Sequence, residues 1–281
     1  MLNDSKAQAS AGPNAGSSGA APLLTIVIPA YNEELRIGKS LERIWLYLGA
    51  KTFSADVIVV DDGSSDRTAE VVARAAEHWP ALRLMVNERN RGKGFSVRRG
   101  ALGARGQYVL LTDADLSAAI DQAGMLIAGL ESTGADAAVG SRALQRELIG
   151  VHQPWTREWA GICFNLAVRL FTGLKLRDTQ CGFKLFRRET TRRAFEHLKA
   201  DRFGFDPELL FLIQRFGGRV LEIPVRWDND PATRFSIVRD AVQSLREVVA
   251  VRWRVLARQY PPSQRARRAA AGEERLGQGS S

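Results

Sequence analysis

The sequence predicts an α/β fold, with a mostly parallel central sheet flanked by helices on both faces. From about residue 24 to 140, short apolar runs alternate with segments of helical periodicity, the order that builds parallel sheets. The runs are apolar throughout rather than alternating, as in "DVIVV" at 56–60, which suits strands buried on both sides. Acidic and small polar residues gather where these runs end, at the edge where parallel sheets bind their ligands.

Each element has its own signal. "LLTIVIP" (23–29) reads as the first strand, and apolar positions 35, 37, 41, 44, 45 and 48 give a helix over 34–48. "DVIVV" is the second strand, followed by a helix over 65–79 with Ser65 and Asp66 at its start. "LRLMV" (82–86), a helix over 94–104, "YVLLT" (108–112), a helix over 119–131 and "ADAAVG" (135–140) complete the alternation. The later chain is less regular. It reads as a helix at 159–173, a strand entering a helix at 181–189, a helix at 206–217, a strand at 219–227 and a last helix at about 236–257. The boundaries expected are a disordered tail at 1–22, one domain at 23–235, an amphipathic basic helix at 236–258 and a second disordered tail at 259–281.

Composition narrows the function. A chain of 281 residues, 45% apolar, can bury the core of one large domain. A net charge of +9 calls for an anionic partner: nucleic acid, an anionic membrane or a phosphorylated small molecule. The only cysteines are Cys163 and Cys181, with no CxxC, so neither a disulfide framework nor a zinc site is expected and a reducing cytoplasm fits. No apolar run reaches the ~18 residues of a membrane span.

Three strand ends carry the candidate chemistry: Pro29-Ala30-Tyr31-Asn32-Glu33, Asp61-Asp62-Gly63-Ser64-Ser65-Asp66, and Asp113-Ala114-Asp115. Any one of them is also ordinary turn and cap chemistry. Three on one edge of one sheet point to a shared ligand site. Asp113 and Asp115 form a DxD, two carboxylates that can address one hard cation and leave room for phosphate. Such a cation also relieves their mutual repulsion. "NRGKG" (90–94) sets Arg91 and Lys93 between glycines before a helix, where backbone and dipole favour an anion. It is neither a Walker A motif nor GxGxxG, which weighs against a P-loop ATPase, a kinase and a Rossmann dehydrogenase.

Taken together, "IVIPAYNEELRI", "DVIVVDDGSSDRT", "NRGKG", "YVLLTDADLS", "GSR", "DTQCGFKLFRR" and "FGFDPELLFL" resemble family 2 glycosyltransferases with the GT-A fold. The resemblance is strongest to the polyprenyl-phosphate (dolichyl-phosphate) subgroup and its β-glucosyltransferase-like members. It implies an inverting hexosyltransferase that moves glucose from UDP-glucose onto polyprenyl phosphate, with Mg2+ or Mn2+ as cofactor. It implies that Pro29, Ala30, Tyr31, Asn32 and Glu33 cradle the base and ribose, and that Asp61, Asp62 and Gly63 continue that pocket. Gly92 and Lys93 then lie by the nucleotide, Lys93 near its phosphates, and Ala114 belongs to the same nucleotide-sugar site. Asp113 and Asp115 hold the metal, with Asp115 as a metal ligand first and a base second. Arg142 and Arg157 take the acceptor phosphate, and the 178–183 stretch "DTQCGF", Gln180 with it, lines the sugar and acceptor pocket. Asp206 and Glu208 follow in the same cleft without an assigned role.

Charge distribution agrees with an anionic acceptor. Residues 142–193 hold eleven Lys or Arg against four acids, the pattern expected of a phosphate site at an anionic membrane. The last helix carries Arg239, Arg246, Arg252, Arg254 and Arg258 beside an apolar face, so attachment is expected to be peripheral, at the cytoplasmic face of the membrane. A GDP-mannose donor, or a saccharide hydroxyl acceptor with Asp206 as base, keeps the same fold. A nucleic-acid-binding protein is disfavoured, because no such motif is present and acids crowd the strand ends.

Overall fold

The computed structural model describes residues 21–144, 165–228 and 237–264. Seven strands form one sheet in the order β3-β2-β1-β4-β6-β5-β7. They are β1 (Leu24–Ala30), β2 (Ala55–Asp61), β3 (Leu82–Val86), β4 (Tyr108–Leu111), β5 (Ala137–Ser141), β6 (Lys184–Arg187) and β7 (Val220–Pro224). All pairs are parallel except those made by β6, which runs antiparallel to both β4 and β5. The expectation of a mostly parallel sheet holds. The reversal of β6 was not legible, because an apolar run such as "KLF" fixes burial and not direction.

The helices are α1 (Ile37–Gly49), α2 (Thr68–Glu77), α3 (Lys93–Gly103), α4 (Ala123–Thr133, after a 3-10 turn at Ile120–Gln122), α5 (residues 165–172), α6 (Arg188–His197), α7 (Phe205–Arg215) and α8 (Ile237–Leu256). One face of the sheet, with Ile26, Ile28, Val57 and Val59, packs in a core with Ile37, Leu41 and Ile44 of α1 and Leu126 of α4. The other, with Val27, Ile58, Val60 and Val109, packs with Val97 of α3, Phe195 of α6, Leu209 of α7 and Val248 of α8. Every residue of β2 is buried, as its uninterrupted apolar run requires. Each such Val or Ile contributes about 1.5–3 kcal/mol on burial.

Two helix starts fall short of the expected boundaries for one physical reason. α1 begins at Ile37 and not at 34, and α2 at Thr68 and not at 65, because residues 32–36 and 64–68 bind one another. Glu33 N–H donates to Thr68 Oγ1 (2.7 Å), Glu34 N–H to Asp66 (3.2 Å) and Ser65 N–H to Asn32 Oδ1 (2.9 Å). At the other end the chain stays packed past the boundary expected at 258. Tyr260 is buried and lies against Phe211.

Candidate active site

A crevice opens between β1 and β4 at their carboxyl ends. Pairing of β1 with β4 stops at Val27↔Leu111, whereas pairing with β2 runs on to Ala30↔Asp61. Pro29 sits just past the divergence. Val27 turns its polar backbone toward β4, accepting from Thr112 N–H at 3.2 Å, so Pro29, two residues on, faces the same way. Its missing N–H therefore lies where no partner strand remains, which is how a central strand tolerates proline. The strand order also reverses between β1 and β4, the switch point where such sheets bind ligands.

The DxD hangs over this crevice. Ala114 is anchored through its carbonyl, which accepts from Ser40 Oγ of α1 at 2.6 Å, and Asp115 accepts from Ser117 N–H at 2.9 Å. Leu116 has φ +50°, a left-handed conformation that costs a branched residue about 1–2 kcal/mol. The tight turn keeps both carboxylates on the crevice side.

Around them lies a cluster of alternating charge. Lys93 Nζ meets Asp113 Oδ1 at 2.5 Å, and Lys184 Nζ meets Asp206 Oδ1 at 2.5 Å. Burial opposes the charge on each group; the partners overcome it at Asp113 and Lys93, and burial prevails at Asp115, Glu33 and Asp206. Asp113 is held below the usual carboxylate range, against burial, by Lys93, Lys184 and Arg142. Lys93 is raised, against burial, by Asp113, Asp206 and Asp115. Asp115 goes the other way, pushed up by burial and by the charge on Asp113. Glu33 is raised mainly by burial, despite its two-point pairing with Arg36 (2.8 and 2.9 Å). Asp206 is raised because burial outweighs Lys184 and Lys93.

Arg142 follows β5 and is locked to Asp178 by two parallel bonds, Nε–Oδ2 at 2.7 Å and Nη2–Oδ1 at 2.9 Å. Its guanidinium lies 5.0 Å from the Trp227 ring centroid. Ser141 Oγ and Trp227 Nε1 are buried in this region without a hydrogen-bond partner among the described residues. Gln180 is held through its backbone N–H, which donates to Asp178 at 3.2 Å. Cys181 is buried, and burial pushes its thiol up to about 12, so it is a neutral packing group. Arg157 lies outside the described residues.

The acids at the end of β2 brace the loops beside the crevice. Asp61 accepts from Ser64 N–H (3.1 Å) and from the Ser64 hydroxyl. Asp62 accepts from Asn87 Nδ2 (2.7 Å), Arg91 N–H (3.0 Å) and Gly92 N–H (2.7 Å). Asp62 therefore fixes the "NRGKG" turn that presents Lys93, and Gly63 makes the bend with φ +69°. Tyr31 is half-exposed at the rim, and Asn32 (φ +55°) ties it to Ser64 and Ser65. Glu208, grouped by sequence with Asp206, faces the opposite way, toward α8.

One site residue escaped the sequence reading, and another was placed there only as part of the 178–183 stretch. Lys184 is fully buried in β6; a lysine inside an apolar strand run was the available signal. Gly182 passes against the Asp113 carboxyl so closely that a Cβ there would lie 2.6 Å from Cγ.

Among the described residues no group of three His, Cys, Asp or Glu side chains is assembled for a metal. Asp113 and Asp115 offer two hard oxygen ligands, a pair that suits Mg2+ or Mn2+ when phosphates fill the remaining positions.

The sequence model of Glycosyl transferase family 2 matches residues 25–195. A dolichyl-phosphate beta-glucosyltransferase of Trichomonas vaginalis is 35% identical over 252 residues, covering 84% of this chain and 77% of that protein. The enzyme of that name from Dictyostelium discoideum is 33% identical over 245 residues, covering 83% and 75%. In fold, the chain is similar to glucosyl-3-phosphoglycerate synthase from Mycobacterium tuberculosis, solved with Mn2+, UDP and glucosyl-3-phosphoglycerate. The TM-score is 0.57 at 19% identity, over 86% of this chain and 82% of that one. The fold is that of GT-A glycosyltransferases, and the chain belongs to glycosyl transferase family 2.

Proposed function

We propose that this enzyme transfers glucose from UDP-glucose to polyprenyl phosphate, with inversion, while resting on a membrane surface. The observation that carries the reading is the Lys93–Asp113–Asp115 group at the β1/β4 crevice, in a chain whose relatives are named dolichyl-phosphate beta-glucosyltransferases. The solved structure of similar fold binds UDP with Mn2+, which supports a uridine donor and a divalent cation.

An oxygen of the acceptor phosphate attacks the anomeric carbon as the nucleoside diphosphate leaves from the opposite face. That nucleophile is already ionised, since its second pKa is near ~6, so no strong general base is required. A divalent cation held by Asp113 and Asp115 would neutralise charge on the diphosphate. Lys93 stabilises the same developing charge. Arg142 positions the acceptor phosphate with the guanidinium nitrogen that Asp178 leaves over. A hydroxyl acceptor would need Asp206 as base, and Asp206 is bound to Lys184 instead.

Membrane contact is supported by α8. Its inner side buries Ser244, Val248 and Val251, and its outer side exposes Leu245, Val249, Trp253 and Leu256, the last two at 63% and 71%. This apolar stripe beside Arg246 and Arg252 suits an interfacial helix on an anionic leaflet, and the cytoplasmic leaflet is the anionic one. Among the described residues no helix is long and apolar enough to cross a membrane.

The test is a donor panel of UDP-glucose, UDP-galactose, UDP-glucuronate and GDP-mannose against polyprenyl phosphate, with Mg2+ and Mn2+ in turn. Product is scored in the organic phase. Label entering that phase from another donor alone would overturn the UDP-glucose assignment. Trp253→Glu should release the protein from anionic vesicles in sedimentation, and undiminished binding would exclude α8 as the anchor.

A further inference from the structure

Glu208 is fully buried in the first turn of α7, and each of its oxygens binds two donors. Oε1 accepts from Lys199 N–H (2.9 Å) and Tyr260 OH (2.6 Å), and Oε2 from Ala200 N–H (2.9 Å) and Arg254 Nη1 (2.8 Å). One donor of each pair comes from the loop between α6 and α7. The other comes from α8 or the segment just after it. A second tie joins the same parts, Gly204 N–H donating to Glu247 of α8 at 2.5 Å.

This loop is the back wall of the turn that presents Lys93. Phe95 N–H donates to Asp201 C=O at 3.0 Å. The Ala200 and Asp201 carbonyls lie where side chains at Gly94 and Gly92 would have to stand. Arg91 and Arg98 flank the Asp201 carboxylate at 3.9 and 3.8 Å. A displacement of Ala200 or Asp201 therefore moves the first turn of α3, and with it the ammonium that meets Asp113.

We propose that Glu208 is a positioning residue for Lys93, acting through Ala200 and Asp201, and that Arg254 and Tyr260 make this position depend on the docking of α8. The inference rests on the reading of Lys93 as a group that stabilises the leaving diphosphate. Replacing Glu208 itself would strand Arg254 and two N–H groups, so the informative variant is Tyr260→Phe. It removes the charge-assisted hydrogen bond to Glu208 and the hydroxyl's interaction with Arg254, and it keeps the ring packed on Phe211.

The assay is transfer of labelled glucose from UDP-glucose to polyprenyl phosphate in vesicles, with kcat normalised to folded enzyme and hydrogen exchange followed at residues 93–96 and 199–204. Tyr260→Phe should lower kcat about fivefold, a fraction of what a hydrogen bond to a charged group supports, with the acceptor KM unchanged. Exchange should quicken in both segments. A purely structural role would lower the unfolding midpoint and leave kcat per folded molecule within about twofold of wild type. That result would overturn the inference. Lys93→Met serves as the control. A wild-type kcat there would remove the reading of the site, whereas a crippled Lys93→Met beside a normal Tyr260→Phe would remove the positioning role alone.

Discussion

Gly182→Ala tests whether the site depends on the placement of Asp113. Gly182 does not need glycine for its backbone angles, since it is not among the residues with positive φ. What it needs is space. A Cβ would lie 2.6 Å from Asp113 Cγ and 2.8 Å from Oδ1, and closer still to Oδ2, where ordinary contact begins at 3.4 Å. The carboxyl would have to retreat by about 1 Å, out of its 2.5 Å contact with Lys93. A misplacement of about 1 Å can lower turnover about a hundredfold. The crowding itself costs about 1–3 kcal/mol of stability. Transfer into the lipid phase, read beside calorimetric binding of UDP in Mn2+, is expected to show kcat down by about two orders of magnitude in a folded protein. A kcat within threefold of wild type in a folded variant would refute the placement of Asp113 in the reaction.

Three further outcomes are expected. Asp115→Ala should abolish transfer while circular dichroism shows the fold intact, and wild-type-like turnover with Mg2+ or Mn2+ supplied would count against the metal site. Lys184→Met should lower chemical-denaturation stability by about 3–5 kcal/mol, because it leaves Asp206 buried without its partner. Adding Asp206→Leu should recover most of that loss, and a single variant as stable as wild type would sink the claim. Arg142→Met should weaken use of polyprenyl phosphate more than donor binding, and it should also change the pH dependence of stability. In the wild type Asp178 is held low, against burial, by Arg142. The stability this confers is complete above the ordinary carboxylate value and is lost as pH falls through the lowered one. Without Arg142, burial raises Asp178, so the variant should instead lose stability as pH rises from acid toward neutral. Parallel pH profiles for the two proteins would contradict this.

Much of the architecture was legible because buried parallel strands announce themselves. "TIVIPA" and "DVIVVD" are apolar on both faces, and both are buried as read. The DxD was legible because two aspartates directly after "YVLLT" have no packing reason to be there. What escaped depends on contacts between distant positions. Asp62 and Gly92 meet through one hydrogen bond, and no spacing rule predicts it. Glu208 looked like a partner of Asp206 because only one residue separates them. On a helix, however, that separation turns the two side chains to different sides, one to Lys184 and the other to Arg254. Tyr260 sits in a polar stretch whose composition resembles a tail, and only its burial and its bond to Glu208 mark it as part of the fold.

The antiparallel course of β6 has a consequence for how such a protein can change. The chain leaves the sheet after Ser141 and is back beside it by Asp178, where Arg142 N–H reaches the Asp178 carboxylate (3.2 Å) and Gly140 N–H reaches Phe183 C=O (2.9 Å). Departure and return share one doorway, closed by the Arg142–Asp178 pair. Length can change between those posts while every strand keeps its register, provided that Val168, Leu174 and Leu176, which belong to the core, keep their places. Closing a loop twice as long adds only about 0.6 kcal/mol. The half of the sheet built from β1, β2 and β3 is untouched by such a change, so a lineage could vary one side of the crevice without rebuilding the other.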